Sequence, residues 1–164
     1  MKKAFLTVLI YVVLSFGQKG YADLLFGMSP EQVKQKGYVL ELSGNYDGLM
    51  AYNSPKGVSY PLTSRFFWFF DNKLMVVSLR YDISKAGADA AIVEGLVEKY
   101  DAGFVEASEE NAYYYTANEH LQIEAKYGKS DYGENILDIF FRGLKIQASY
   151  GEAQKKKYQK NLGF

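Results

Sequence analysis

The stretch Phe66-Phe67-Trp68-Phe69-Phe70-Asp71-Asn72-Lys73-Leu74-Met75-Val76-Val77-Ser78-Leu79-Arg80-Tyr81 decides the fold. Five consecutive aromatic side chains leave a strand no polar face, so residues 66–70 read as a central strand covered on both sides or nearly so, and as core rather than a ligand box. Asp71-Asn72-Lys73 supplies tight-turn chemistry. Residues 74–81 then return antiparallel, with Met75, Val77 and Leu79 on one face and Val76, Ser78 and Arg80 on the other.

Upstream, Asn45-Tyr46-Asp47-Gly48 and Asn53-Ser54-Pro55-Lys56-Gly57 separate further short β-prone runs. Before them, Ser29-Pro30-Glu31-Gln32 is a helix start. Ser29 is placed to cap, Pro30 suits the first helical position, Gln32 can close a capping box, and Gly37 stops the helix after barely two turns. Downstream, Ser84 opens a second helix. Its apolar residues Ala88, Ile92, Val93, Leu96, Val97 and Tyr100 form one stripe, Glu94 and Glu98 face water, and Asp101-Ala102-Gly103 ends it.

Later runs alternate. Leu121, Ile123, Ala125 and Tyr127 oppose His120, Gln122, Glu124 and Lys126, and Leu144, Ile146, Ala148 and Tyr150 oppose Lys145, Gln147 and Ser149. Such strands suit a sheet with one face under helices and one partly wet. Between them residues 136–141 read as a more buried strand, and Arg142-Gly143 is either a tight turn or a bulge. Residues 151–160 have helical propensity and carry the basic run Lys155-Lys156-Lys157. The expectation is an α+β fold: an antiparallel sheet of about six to seven strands, two main helices packed on one face, and the order α, several β, α, three β, short α. Helix plus strands, used twice, is a weak internal echo.

Residues 1–22 read as a cleavable signal peptide. Lys2 and Lys3 precede an apolar run at 4–16, and Gly20 and Ala22 are small enough for cleavage before Asp23. Thirteen residues, interrupted by Thr7, Tyr11 and Ser15, fall short of the roughly 20 needed to span a bilayer. Residues 23–164 then form a single exported domain, soluble, periplasmic or secreted, without a stable membrane anchor. The chain has no cysteine, which removes disulfides and thiol chemistry. Without the signal, 16 basic residues face 19 acidic ones, about −3 net, which argues against nucleic acid as a partner.

Leu25-Phe26-Gly27-Met28-Ser29-Pro30-Glu31-Gln32-Val33 resembles the (W/F)-G-M-S-x-x-x-V helix start of small bacterial envelope proteins of the BamE/SmpA-like and β-lactamase-inhibitor-protein-like kind. Phe69-Phe70-Asp71-Asn72-Lys73-Leu74 is similar to their F-x-D-x-K-L hairpin. Leu96-Val97-Glu98-Lys99-Tyr100 is similar to their L-x-x-K-Y-G helix end, with Asp101 in place of the glycine. The resemblance spans roughly residues 24–150. It implies exported α+β domains, some acting as scaffolds or protein inhibitors, and brings no catalytic residues. The lipid-bearing cysteine of BamE has no counterpart here.

Little in the chain points to catalysis. His120 is the only histidine and no G-x-S-x-G elbow accompanies it; with no cysteine, a zinc set is also wanting. Asp131, Glu134 and Asp138 cluster near a turn, where acids serve turn chemistry. They lack the spacing of a calcium-binding EF-hand loop, which leaves calcium open. No phosphate-cradling glycine loop is present. Fifteen tyrosines are the remaining signal, since exposed tyrosine offers stiff contact area at low entropy cost. The expected role is a non-enzymatic binding domain without cofactor or metal, meeting another envelope or secreted protein through Tyr114, Tyr132 and His120. The alternatives are a small-ligand or carbohydrate module with an aromatic pocket of about 300 Å³ or more, and a carboxylate-dependent hydrolase.

Overall fold

Ser29 starts the first helix, α1 (Pro30–Gln35), with the expected reciprocal cap. The Ser29 hydroxyl accepts from the Gln32 N–H at 3.3 Å, and the Gln32 side chain accepts from the Ser29 N–H at 2.8 Å. Gly37 follows with φ +90° and stops the helix. The computed structural model describes residues 21–100, 105–106, 112–118 and 120–162, and of 105–106 and 112–118 only the backbone.

Two hairpins come next: β1 (Glu41–Tyr46) with β2 (Leu49–Asn53), and β3 (Leu62–Phe70) with β4 (Lys73–Asp82). Their two-residue turns, Asp47-Gly48 and Asp71-Asn72, have positive φ at both positions, the turn whose twist matches that of paired strands. Helix α2 (Ala88–Tyr100) leads to β5 (Val105–Glu106), β6 (Ala112–Asn118), β7 (Leu121–Lys129) and β8 (Asn135–Gly143). Helix α3 (Leu144–Asn161) closes the described chain.

All the described strands join one antiparallel sheet of eight in the order β1-β2-β3-β4-β8-β7-β6-β5. The order is mirror-like. Each half is a helix followed by a four-strand meander, and the halves meet where β4 pairs with β8, Leu79 opposite Ile139. The expected echo is therefore a feature of the topology.

The core lies on one face of this sheet. Phe67 and Phe69 of β3, Val77 and Leu79 of β4, Leu137, Ile139 and Phe141 of β8, and Leu121, Ile123 and Ala125 of β7 are buried there with Leu24 and Val33. The α2 residues Ile92, Val93, Leu96 and Tyr100 pack against this cluster, while Val97 is exposed. Tyr21 also packs on it, its ring 5.3 Å from that of Phe141.

Several expectations need correction. Residues 66–70 are fully buried on one side only: Phe67 and Phe69 are buried, while Phe66, Trp68 and Phe70 are half-buried on the second face, where the Phe70 ring meets Tyr150 of α3. A bulge between Trp68 and Phe69 puts Leu74, not Met75, opposite Phe69 and on the face of Val77. Helix α2 begins at Ala88 rather than Ser84, whose N–H donates instead to Asp82 at 2.8 Å. Where it ends, at 101–103, lies outside the described residues.

The largest correction concerns residues 144–150, which continue into α3, an 18-residue helix rather than a strand before a short one. Both edges of β8 are already paired, with β4 and with β7, so the chain leaving β8 has no adjacent open edge. Helix formers from Lys145 to Lys160 then decide the outcome. Arg142-Gly143 is accordingly neither turn nor bulge. It is the junction of β8 and α3, where the Leu144 N–H donates to the His120 carbonyl at 2.9 Å. Helix α3 reaches the end of the sheet that carries both tight turns: Tyr150 meets the Phe70 ring at 5.2 Å, Gln154 donates to the Asp47 carbonyl at 2.7 Å, and Lys157 pairs with the Asp47 carboxylate.

Candidate functional site on the open sheet face

The face opposite the core is built by register. One row across the sheet is Ala51, Trp68, Val76, Arg142 and Gln122; the next is Asn53, Phe66, Ser78, Phe140 and Glu124; a third is Ser64, Arg80, Asp138 and Lys126. The alternation that buries Phe67 and Phe69 obliges Phe66 and Trp68 to face the other way. Tyr46 of β1 extends the patch, 54% exposed, with its ring 5.8 Å from that of Trp68.

Polar contacts hold these rings in place. The Trp68 indole N–H donates to the Ser78 hydroxyl at 3.1 Å. Arg80 binds Asp138 in a two-pronged pair at 2.8 and 2.9 Å, a planar match that a lysine could not make. Arg142 donates from Nε to the buried Glu124 carboxylate at 3.1 Å, its second nitrogen also contacts that carboxylate, and its guanidinium lies 4.9 Å from the Phe140 ring centre. The Asp138 pair raises the Arg80 pKa further above its usual value. Charge on this face is thus largely neutralised within the fold, leaving aromatic surface framed by ordered hydrogen-bonding groups.

Two recesses open here. One, about 200 Å³, is lined by Phe66, Trp68, Ser78, Arg80, Asp138 and Phe140; the other, about 210 Å³, by Leu49, Trp68, Met75, Val76, Phe140 and Arg142. Trp68 and Phe140 border both. Each falls below the roughly 300 Å³ at which small-molecule pockets begin, and fits single side chains better.

Of the three residues singled out from sequence, Tyr132 and His120 stand at opposite ends of β7. Tyr132 sits in the β7–β8 turn, 91% exposed. His120 precedes β7 at its other end, half-buried, with its carbonyl tied to α3. The nine residues of β7 between them extend roughly 30 Å. Tyr114 pairs in register with Glu124, and its side chain, like those of Tyr113 and Tyr115, lies outside the described residues. Sequence reasoning missed Phe66 and Trp68 because an uninterrupted aromatic run looks like core on both sides, and Phe140 because residues 136–141 read as a buried strand.

The acidic cluster is also dispersed in role. Asp138 is held by Arg80 on the open face, and Glu134 closes the β7–β8 turn, its carboxylate accepting from the Ser130 hydroxyl at 3.4 Å. Among the described residues no group of three His, Cys, Asp or Glu side chains is placed to hold a metal ion. None of their helices is long and apolar enough to cross a membrane. Compared with protein-family models, with curated proteins and with solved structures, the chain matches none.

Proposed function

We propose that this chain is an interaction domain of the bacterial envelope that docks a folded protein partner on its open sheet face. The observation that carries the reading is the aromatic patch of Tyr46, Phe66, Trp68 and Phe140, set among two internally neutralised arginine–carboxylate pairs. Interfaces concentrate binding energy in aromatic and arginine side chains that are already ordered before the partner arrives. The two side-chain-sized recesses beside Trp68 and Phe140 suit apolar residues of such a partner, while Arg80, Asp138 and Ser64 offer hydrogen bonds at the rim.

Export belongs to the same reading, supported by Lys2, Lys3, the apolar run at 4–16 and the small residues Gly20 and Ala22. The resemblance around residues 25–33, 69–74 and 96–100 to envelope scaffolds and inhibitors points the same way.

A photo-reactive amino acid placed at position 66 on the open face, and in parallel at position 97 on the exposed side of α2, tests the proposal in intact cells. A discrete adduct is expected from position 66 alone. Trp68→Ala should weaken the isolated complex by about 30-fold or more, the effect of losing a central aromatic anchor, with circular dichroism confirming that the variant folds. Equal adducts from both positions, or an affinity unchanged by Trp68→Ala, would refute it.

A further inference from the structure

Arg65 is the one arginine of β3, and it points to the core side of the sheet. It is 8% exposed, and no carboxylate among the described residues lies within ion-pair distance of it. One terminal nitrogen donates to the Lys56 carbonyl at 3.2 Å, whereas the Nε–H has no acceptor among the described residues. Its guanidinium instead lies against two rings, 5.6 Å from the centre of Tyr21 and 5.4 Å from that of Tyr38. A buried cation without an anion is costly and uncommon, and the rings offset only part of that cost.

On the other side of the Tyr21 ring is a cavity of about 310 Å³ between α2 and the sheet, within the size range of small-molecule sites. Tyr21, Tyr81, Ile92, Leu96, Tyr100 and Phe141 supply its apolar walls, and Lys99 adds a second cation at its rim. Helix α2 bridges this space rather than filling it. None of its residues is fully buried, and a side chain added at Gly95 would meet nothing within 4 Å. Tyr21 stands between the two features, one of the cavity walls and at the same time a ring on the Arg65 guanidinium.

The geometry points to a binding site for a small carboxylate with an aromatic body, whose ring takes the place of Tyr21 and whose carboxylate meets Arg65. The Tyr21 ring shows that the space beside the guanidinium accepts an aromatic group, and the unused Nε–H supplies the anion preference. This site lies on the face opposite the protein-docking patch, so either can fail without the other. The expected processing before Asp23 would remove Tyr21 and open the site, as Tyr21→Ala does in the full chain.

Phenylacetate and its neutral isostere phenylacetamide are the probes, titrated into the full chain by calorimetry and by NMR of the Gly95 amide, the Ile92 and Leu96 methyls and the Arg65 Nε–H. Phenylacetate should bind with Kd below about 1 mM. The amide should bind about 10-fold or more weaker, the worth of a charge-assisted pair. Arg65→Gln should abolish the difference between acid and amide, Gly95→Leu should weaken both by filling the cavity, and Tyr21→Ala should tighten the acid several-fold. Gly95→Leu places its side chain in open space on a helix and keeps the test valid if Arg65→Gln fails to fold. Absence of saturable phenylacetate binding up to about 10 mM, equal affinity for acid and amide, or shifts confined to the Trp68 indole would overturn the assignment.

The same tyrosines make stability pH-dependent. Burial pushes the Tyr81 hydroxyl up to about 12 and raises those of Tyr38 and Tyr100. The unfolded chain releases these protons near pH 10, before the folded chain does. Their contribution is therefore complete below about pH 10 and is lost as pH rises through about 12. Thermal melts across this range should show a falling midpoint, with a shallower fall in Tyr81→Phe.

Discussion

Replacing Phe141 with alanine is expected to lower the unfolding free energy by about 3–5 kcal/mol. Phe141 is 1% exposed on β8, paired with Val77 on one side and Ile123 on the other, so its backbone cannot follow a shrinking side chain. Its ring also meets two others from separate parts of the chain: Tyr21 at 5.3 Å and Tyr100 of α2 at 5.5 Å. The space vacated would join the cavity already present under α2 instead of closing. That places the substitution toward the costly end of its class. Urea denaturation followed by far-ultraviolet circular dichroism measures the loss, with the exposed Val97→Ala expected to stay within about 0.5 kcal/mol. A Phe141→Ala cost below about 1 kcal/mol would show that the second half of the sheet repacks freely, contrary to the paired register.

Gly143→Ala should destabilise by about 1–3 kcal/mol through overpacking. A Cβ at this position would lie 2.6 Å from Cγ and 2.8 Å from Cβ of Phe26, closer than such atoms approach. Phe26 cannot readily move away. It is 7% exposed, and the neighbouring Gly27 N–H is tied to the Leu74 carbonyl at 2.9 Å. Gly143 has φ −82°, which any residue can adopt, so room and not backbone freedom is what it provides. The distinction is measurable in a double-mutant cycle with Phe26→Ala. Truncating the ring should relieve the clash, making the pair less costly than the sum of the singles by more than about 0.5 kcal/mol, whereas strict additivity would sink the steric account.

Much of this architecture was legible in short stretches because its causes are local. Ser29, Pro30 and Gln32 make a cap from residues three apart, and Asp47-Gly48 and Asp71-Asn72 make turns from their own backbone preferences. Alternation at 121–127 settled β7 likewise. Residues 144–150 misled for the complementary reason. Their apolar positions alternate as a strand requires, but Ile146, Gln147, Tyr150 and Gln154 fall on one side of a helix, and all four are half-buried. Periodicity over seven residues could not choose between the two; the filled edges of β8 did.

The candidate sites were less legible because they depend on what covers a surface. From sequence, 66–70 shows five aromatic residues, and nothing in those letters tells which two are buried in the core and which three face the other way. Arg65 gave no signal at all, since an arginine next to an aromatic run reads as an exposed strand end.

By itself, then, the order of residues determined the α+β class, the cap of α1, the tight turns and the faces of β7, because those follow from contacts between near neighbours and from a two-residue side-chain period. Tertiary structure alone decided that Phe66, Trp68 and Phe140 stay partly open, and that Arg65 lies against Tyr21 and Tyr38 with no carboxylate among the described residues in ion-pair range. The physical reason is that coverage and charge neutralisation are properties of groups brought together from distant parts of the chain. Position 21, position 65 and position 141 become neighbours only when the sheet closes over its core.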